Sequence, residues 1–141
     1  MAVIQTYAPK NEIIRLACTQ DYEKFYEGEI AIRKELSYPP FCDIATLTVT
    51  SSDEPSAIKE AKRLSDMLID KLEKQGGGQP FMVFGPFEAG VYRVNEKYRM
   101  RLVIKCKLNK ISRGIFSGVL CEFNSTAKDA TLSVEFNPMT A

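Results

Sequence analysis

Asn95-Glu96-Lys97-Tyr98-Arg99-Met100-Arg101-Leu102-Val103-Ile104-Lys105-Cys106-Lys107 reads as a turn followed by one long strand. Successive side chains of a strand point to opposite faces. Alternation therefore puts Tyr98, Met100, Leu102, Ile104 and Cys106 on one face. It puts Lys97, Arg99, Arg101, Val103, Lys105 and Lys107 on the other. One face can pack a core, and the other carries a row of five cations.

Working outward, the flanking elements give this strand its place. Val91-Tyr92-Arg93-Val94 precedes the turn as a short strand, and Phe81 to Gly85 forms an earlier piece that Pro86 is expected to break. Before that, Ala57, Ala61, Leu64, Leu68 and Leu72 recur at three- and four-residue steps. This predicts a helix over 54–74, capped by Ser52 or Asp53, with Pro55 in its first turn and Gly76-Gly77-Gly78 at its end. Phe41 to Ser51 is rich in β-formers and predicts a strand. After the basic strand, Asn109 caps a helix over 109–123, with Ile111, Ile115, Phe116, Val119, Leu120 and Phe123 as its apolar face. Leu132, Val134 and Phe136 then alternate inward on a last strand ending at Pro138.

From Phe41 the order is β-α-β-β-α-β. The fold class is α+β and ferredoxin-like: a four-stranded antiparallel sheet with two helices on one face and the other face left to water or a partner. The domain is expected over 41–141. Residues 1–40 read as a preceding segment: a short strand at Val3–Tyr7, a short helix at Asn11–Cys18, and a helix from the cap Asp21 to about Leu36. On the second helix Tyr22, Phe25, Tyr26 and Ile30 form the apolar side, and Glu29 and Arg33 are spaced to pair. The first strand has no local partner, so it is expected to belong to a larger protein and, by itself, to be mobile, swapped or paired in a dimer. Tyr38-Pro39-Pro40-Phe41 stops the helix as a stiff connector. It reads better as a hinge than as a recognition strip.

With 141 residues, 45% hydrophobic and 26% charged, the chain suits a globular domain of ordinary composition. Its formal net charge is +1, so nucleic-acid binding would have to come from segregated charge. The four cysteines, Cys18, Cys42, Cys106 and Cys121, show no C-x-x-C spacing, and there is no histidine, which argues against a zinc site. Reduced, mostly buried thiols and a cytoplasmic location are expected, with no membrane partner. Without histidine, serine or cysteine nucleophiles have no partner base. An acylphosphatase-like site would need a phosphate-cradling loop, and Thr50-Ser51-Ser52-Asp53-Glu54-Pro55 is acidic instead. No G-x-x-x-x-G-K-[ST] occurs.

The candidate site is the basic row: Lys97, Arg99, Arg101 and Lys105, with Tyr92 and Arg93 on the preceding strand placed to flank it. Alternate residues stand about 6.6–6.8 Å apart along a strand. Guanidinium forks bind phosphate oxygens bidentately. The same cations would also suit an acidic peptide, and an ordinary solvated face would pair them with Glu96, Glu135 or Asp43.

Asp21 to Phe41, ending in Leu36-Ser37-Tyr38-Pro39-Pro40-Phe41, resembles the segment after the helicase lobes in the family of bacterial replication-restart helicases known as primosomal protein N-prime, or PriA. Val3–Tyr7 resembles the strand after that family's last helicase motif. Val83-Phe84-Gly85-Pro86 resembles its V-L-G-P, Lys97-Tyr98-Arg99-Met100-Arg101-Leu102 its R-Y-R-W-R-L, and Val134-Glu135-Phe136-Asn137-Pro138 its V-D-V-D-P. Met100 stands where the family commonly has tryptophan, and Asn137 where it commonly has aspartate. The resemblance implies a C-terminal domain that binds forked or single-stranded DNA. It also implies docking of single-stranded-DNA-binding protein and other primosome proteins, in the assembly of primosomes at stalled forks. The alternative is a pure interaction module for the acidic tail of single-stranded-DNA-binding protein. Residues 1–40 would be the end of the helicase lobe with a helical linker. ATP, Mg and Zn sites belong to the family's upstream regions, so no cofactor and no enzymatic activity are expected of this chain alone.

Overall fold

A computed structural model describes residues 2–139, and within it the chain separates into two compact units, one up to Ser37 and one from Tyr38 onward. The first holds α1 (Glu12–Thr19) and α2 (Tyr22–Glu35). Asn11 caps α1 by accepting from the Ile13 and Ile14 N–H groups, and Asp21 caps α2 through the Lys24 N–H. Arg33 Nε meets Glu29 Oε1 at 2.7 Å, the expected i,i+4 pair. Neither helix has a buried residue. Residues 3–7 form no strand. The expected strand there is corrected for the reason its sequence already contained: β backbone needs a hydrogen-bonding neighbour, and the sheet does not include it.

The second unit runs β1 (Asp43–Ser51), α3 (Glu54–Gln75), β2 (Met82–Val94), β3 (Lys97–Cys106), α4 (Lys110–Thr126) and β4 (Ala130–Phe136). The sheet order is β2-β3-β1-β4, and every pairing is antiparallel. This is the ferredoxin-like arrangement, with the basic strand β3 in the interior. Asp53 caps α3 through the Ser56 N–H, with Pro55 in the first turn. Asn109 and Ser112 form a reciprocal capping box that starts α4. Between β2 and β3 the chain reverses at Asn95 and Glu96, both left-handed at φ 48° and 63°, as a two-residue hairpin loop with strand twist requires.

The core lies between one sheet face and the helices. Ala57, Ala61, Leu64, Leu68 and Leu72 of α3 and Ile115, Phe116, Val119 and Phe123 of α4 meet Leu47, Val49, Met100, Leu102, Ile104 and Leu132 of the sheet. Phe116 and Phe123 are its largest fully buried side chains, each worth about 1.5–3 kcal/mol of apolar burial. The thiols divide differently from the expectation. Cys106 is buried in this core, which pushes its pKa up to about 11, and Cys42 is half-buried. Cys18 and Cys121 are exposed. Cys121 falls between the inward positions Val119 and Phe123 of α4, so helical geometry turns it out.

β2 departs most from expectation. Pro86 does not end it. The strand continues from Met82 to Val94 through register shifts between Phe84 and Phe87 and between Glu88 and Arg93. Gly85 makes the first shift possible. Its φ is +104°, and a Cβ there would stand 2.7 Å from the Arg101 carbonyl oxygen. Among the described residues, no helix is long and apolar enough to cross a membrane.

The three strands β1, β3 and β4 are tied at one end by a polar clasp. Asp43 accepts from the Leu108 N–H at 2.8 Å and from Asn137 Nδ2 at 2.9 Å. Asn137 Oδ1 accepts from the Ile44 N–H at 2.8 Å, and the Asn137 N–H donates to the Ile44 carbonyl at 2.7 Å. An amide at 137 can accept from one neighbour and donate to the other. A carboxylate there would face the Asp43 carboxylate. The bond from Leu108 first, then the one from Asn137, holds the Asp43 carboxyl below its ordinary value of 3.8. A depressed folded pKa means stability that is present above the ordinary value and lost as pH falls through the folded one. Urea unfolding of Asp43→Asn is expected to show a loss of about 1–2 kcal/mol at pH 7 and a flatter decline than wild type on acidification below pH 4. An unchanged acid limb would remove Asp43 from the clasp.

Candidate nucleic-acid interface

The helix-free face is built by alternation across three strands. β3 contributes Lys97, Arg99, Arg101, Val103 and Lys105, and its core-facing partners Met100, Leu102, Ile104 and Cys106 are buried in strict alternation. On β1, Thr50 lies opposite Arg99, Thr48 opposite Arg101, Thr46 opposite Val103 and Ile44 opposite Lys105. On the far side of β1, Thr131, Ser133 and Glu135 of β4 lie opposite Thr50, Thr48 and Thr46. Ile44, Thr46 and Thr48 are buried within the sheet itself, so the accessible features of this face are concentrated on β3 and β2.

Four of the five expected site residues are brought together as a line along β3: Lys97, Arg99, Arg101 and Lys105. Lys97 is exposed at the hairpin end, and the other three are half-buried. Among the described residues Lys97, Arg99 and Arg101 enter no ion pair, and the buried Nε of Arg101 has no acceptor. Lys105 is held by rings. Its Nζ lies 3.7 Å from the Tyr38 ring centroid and 5.6 Å from that of Phe84.

Arg93 does not join the row. In register it sits opposite Tyr98, which puts it on the helix-covered side of the sheet. Its guanidinium lies 5.3 Å over the Tyr98 ring and 3.2 Å from Glu96 Oε1, so its charge is already engaged. Tyr92 donates to Glu54 Oε1 at 2.7 Å and stands edge-on to Tyr98, with ring centroids 5.6 Å apart. Both residues belong to the sheet's other side. The two-residue loop at Asn95-Glu96 decides this for Arg93, because pairing Val94 with Lys97 puts Arg93 opposite Tyr98.

Reading the sequence alone missed the aromatic half of this face. Met82 lies opposite Lys105, Phe84 opposite Val103 and Phe87 opposite Arg101. All three are exposed, at 46%, 44% and 41%. Phe84 and Phe87 are three apart in sequence, which in an even strand puts them on opposite faces. The extra residue at Gly85-Pro86 returns Phe87 to the face of Phe84. The Gly-Pro pair between two phenylalanines was the available signal, since a glycine inside a strand pattern marks a bulge. Among the described residues no three His, Cys, Asp or Glu side chains gather as metal ligands.

Fold and face together define a small ferredoxin-like module whose helix-free side carries a cationic line flanked by exposed aromatic rings. The chain belongs to the primosomal protein N C-terminal domain family, whose profile matches residues 34–139. Replication restart protein PriA of Bacillus subtilis (strain 168) is 31% identical over 138 residues, 96% of this chain and 16% of that protein. PriA of Thermotoga maritima is 34% identical over 104 residues, 74% of this chain and 13% of that protein. PriA of Borreliella burgdorferi is 31% identical over 109 residues, 74% of this chain and 15% of that one. The chain thus spans 13–16% of the length of these relatives. Among solved structures, a de novo designed protein with ferredoxin fold matches at a TM-score of 0.45 and 15% identity, over 71% of this chain and 88% of that one.

Because Gly85 both adopts a positive φ and approaches the Arg101 carbonyl, Gly85→Ala is expected to cost about 1–3 kcal/mol. It should also shift the amide resonances of Phe87 and Arg101. A thermal melt and a two-dimensional amide spectrum check this. A variant as stable as wild type, with Phe87 unshifted, would contradict the role given to the bulge.

Proposed function

We propose that this chain is the DNA-binding and partner-docking domain of a replication-restart protein, and that its helix-free sheet face takes the phosphate backbone of forked or single-stranded DNA. One observation carries the reading: Lys97, Arg99 and Arg101 stand in line on that face without an ion-pair partner among the described residues. Cations spent on stabilising the fold would be paired, as Arg93 is with Glu96. A line of unpaired ones is an electrostatic site in a chain whose formal net charge is only +1. The family membership and the name of the relatives, replication restart protein PriA, support the same reading. The role is one of binding, with no chemical step or cofactor assigned to this chain. Docking of single-stranded-DNA-binding protein and other primosome components on the same cations belongs to the proposal as its second half. An acidic tail offers carboxylates where DNA offers phosphates.

Salt dependence separates the two halves. Each phosphate contact on a single strand adds about 0.7 to the slope of log K against log salt. The Lys97→Ala/Arg99→Ala/Arg101→Ala variant is expected to bind forked and single-stranded DNA at least tenfold more weakly, with the slope reduced by about 2. An acidic peptide should show a shallow slope and lose affinity to the same variant. Anisotropy titrations at several salt concentrations measure both, and circular dichroism checks the fold. A folded triple variant that keeps wild-type affinity for DNA would sink the DNA reading.

A further inference from the structure

The exposed phenylalanines of β2 remain unexplained by a purely electrostatic site. Two such rings on one sheet face lower solubility, and neither is used by the core. Their setting is specific. Phe87 stands in register with Arg101, and Phe84 stands beside Lys105, whose ammonium lies 5.6 Å from its ring centroid. Their β3 partners, Val103 and Arg101, are two residues apart. Along a strand that is about 6.6–6.8 Å, roughly twice the 3.4 Å rise per nucleotide of a stacked strand. Two adjacent bases can meet these rings only by unstacking from each other and lying on the protein. A duplex holds its bases inside and cannot offer them. An acidic peptide has no series of flat faces to offer.

We propose that Phe84 and Phe87 form a base-stacking platform, and that this face takes a single strand of DNA with its bases on these rings and its phosphates along Arg99 and Arg101. The bulge at Gly85-Pro86 is the device that brings both rings to one face. Lys105 acts as a positioning residue, held between the Tyr38 and Phe84 rings. Its charge keeps the Phe84 ring beside the path of the strand. The phosphates run on the β1 side of the rings. There Thr48 and Thr50 lie opposite Arg101 and Arg99. The inference rests on the DNA-binding reading given above and adds to it the form of DNA and the part of it that is recognised.

The test uses the whole chain with a fluorescent oligothymidylate, a blunt duplex of the same length, and an abasic oligonucleotide that keeps the phosphates and lacks the bases. Stacking on an aromatic side chain contributes about 1–3 kcal/mol per base, so Phe84→Ala/Phe87→Ala should weaken oligothymidylate binding by roughly tenfold per ring. Its salt slope should stay at the wild-type value. Binding of the abasic strand and of the duplex should not change. Phe84→Leu/Phe87→Leu keeps apolar volume and removes the π-face, so it should lose nearly as much and guards against a folding artefact. An Arg99→Ala/Arg101→Ala variant should weaken all three ligands and lower the slope. If the phenylalanine variants bind oligothymidylate as wild type does while the arginine variant fails, the platform is wrong and the DNA-binding reading stands. If wild type binds the abasic strand as tightly as oligothymidylate, bases are not recognised and the platform is equally wrong. If the arginine variant also binds all three ligands normally, both readings fall.

Discussion

The alternation of β3 is the constraint on which the rest of this structure depends. The strand is interior, paired to β2 on one side and β1 on the other, so it cannot rotate or slip without losing both ladders. Burying Met100, Leu102, Ile104 and Cys106 under α3 and α4 commits the remaining residues to the opposite side. A slip by one residue would bury Arg99 and Arg101 beneath α3, at a desolvation cost of several kcal/mol per charge. The same apolar packing that stabilises the domain therefore aims the cations. The fixed strand also orders its neighbours, since Thr46, Thr48 and Thr50 inherit their side of the sheet from their register with Val103, Arg101 and Arg99.

Much of this was legible in the sequence because the elements are locally consistent. The helix of Ala57, Ala61, Leu64, Leu68 and Leu72 and the cap at Asn109 state their structures through spacing and capping chemistry, and both hold. The hairpin at Asn95-Glu96 and the two faces of β3 follow from the same kind of local rule. What was not legible lies in β2. A proline is ordinarily read as the end of a strand, because it lacks an N–H for the ladder. Here the preceding glycine folds at φ +104°, absorbs one residue, and lets pairing resume at Phe87. Local pattern cannot count residues across such a shift. Phe84 and Phe87 were accordingly left out of the candidate site. Arg93 was misplaced for another reason: the two-residue loop at Asn95-Glu96 pairs it with Tyr98, on the covered side.

The strand expected at residues 3–7 failed for a different reason. Val3-Ile4-Gln5-Thr6-Tyr7 has strong β-propensity, but propensity measures fit to a pleated surface that a neighbour must provide. The helices of the first unit show the same limit. Their apolar positions follow a clear helical period, yet neither helix has a buried residue. Periodicity reports which side of a helix would be buried, and says nothing of whether a surface is present to bury it. Only the second unit, with four strands and two helices of its own, closes a core.

Where a chain breaks its own local rules, the breach has to be offset by something. β1, α3, α4 and β4 break fewer: apart from Ile58 and Ile111, the latter expected on the inward face of α4, their large apolar residues are buried or half-buried, and the helix N-caps are satisfied. Most of the larger departures fall on the β2–β3 pair, with the buried Thr46 hydroxyl of β1, also without a partner, opposite Val103. Gly85 holds a backbone angle that other residues rarely adopt, Met82, Phe84 and Phe87 stand in water, and Arg101 keeps a buried Nε without an acceptor. Each is unfavourable taken alone. A buried donor without a partner costs about 1–3 kcal/mol, and exposed phenylalanines forgo burial of similar size. Concentrating such costs at one place is the mark of a surface shaped for something other than folding. The bulge ties them into one unit, because removing it would turn Phe87 away and break its register with Arg101. Phosphate binding would account for the arginines and leave the rings unexplained. A ligand with both a charged backbone and flat apolar faces would engage the arginines and the rings together, and that is why the aromatic and basic halves of the face are proposed as one site.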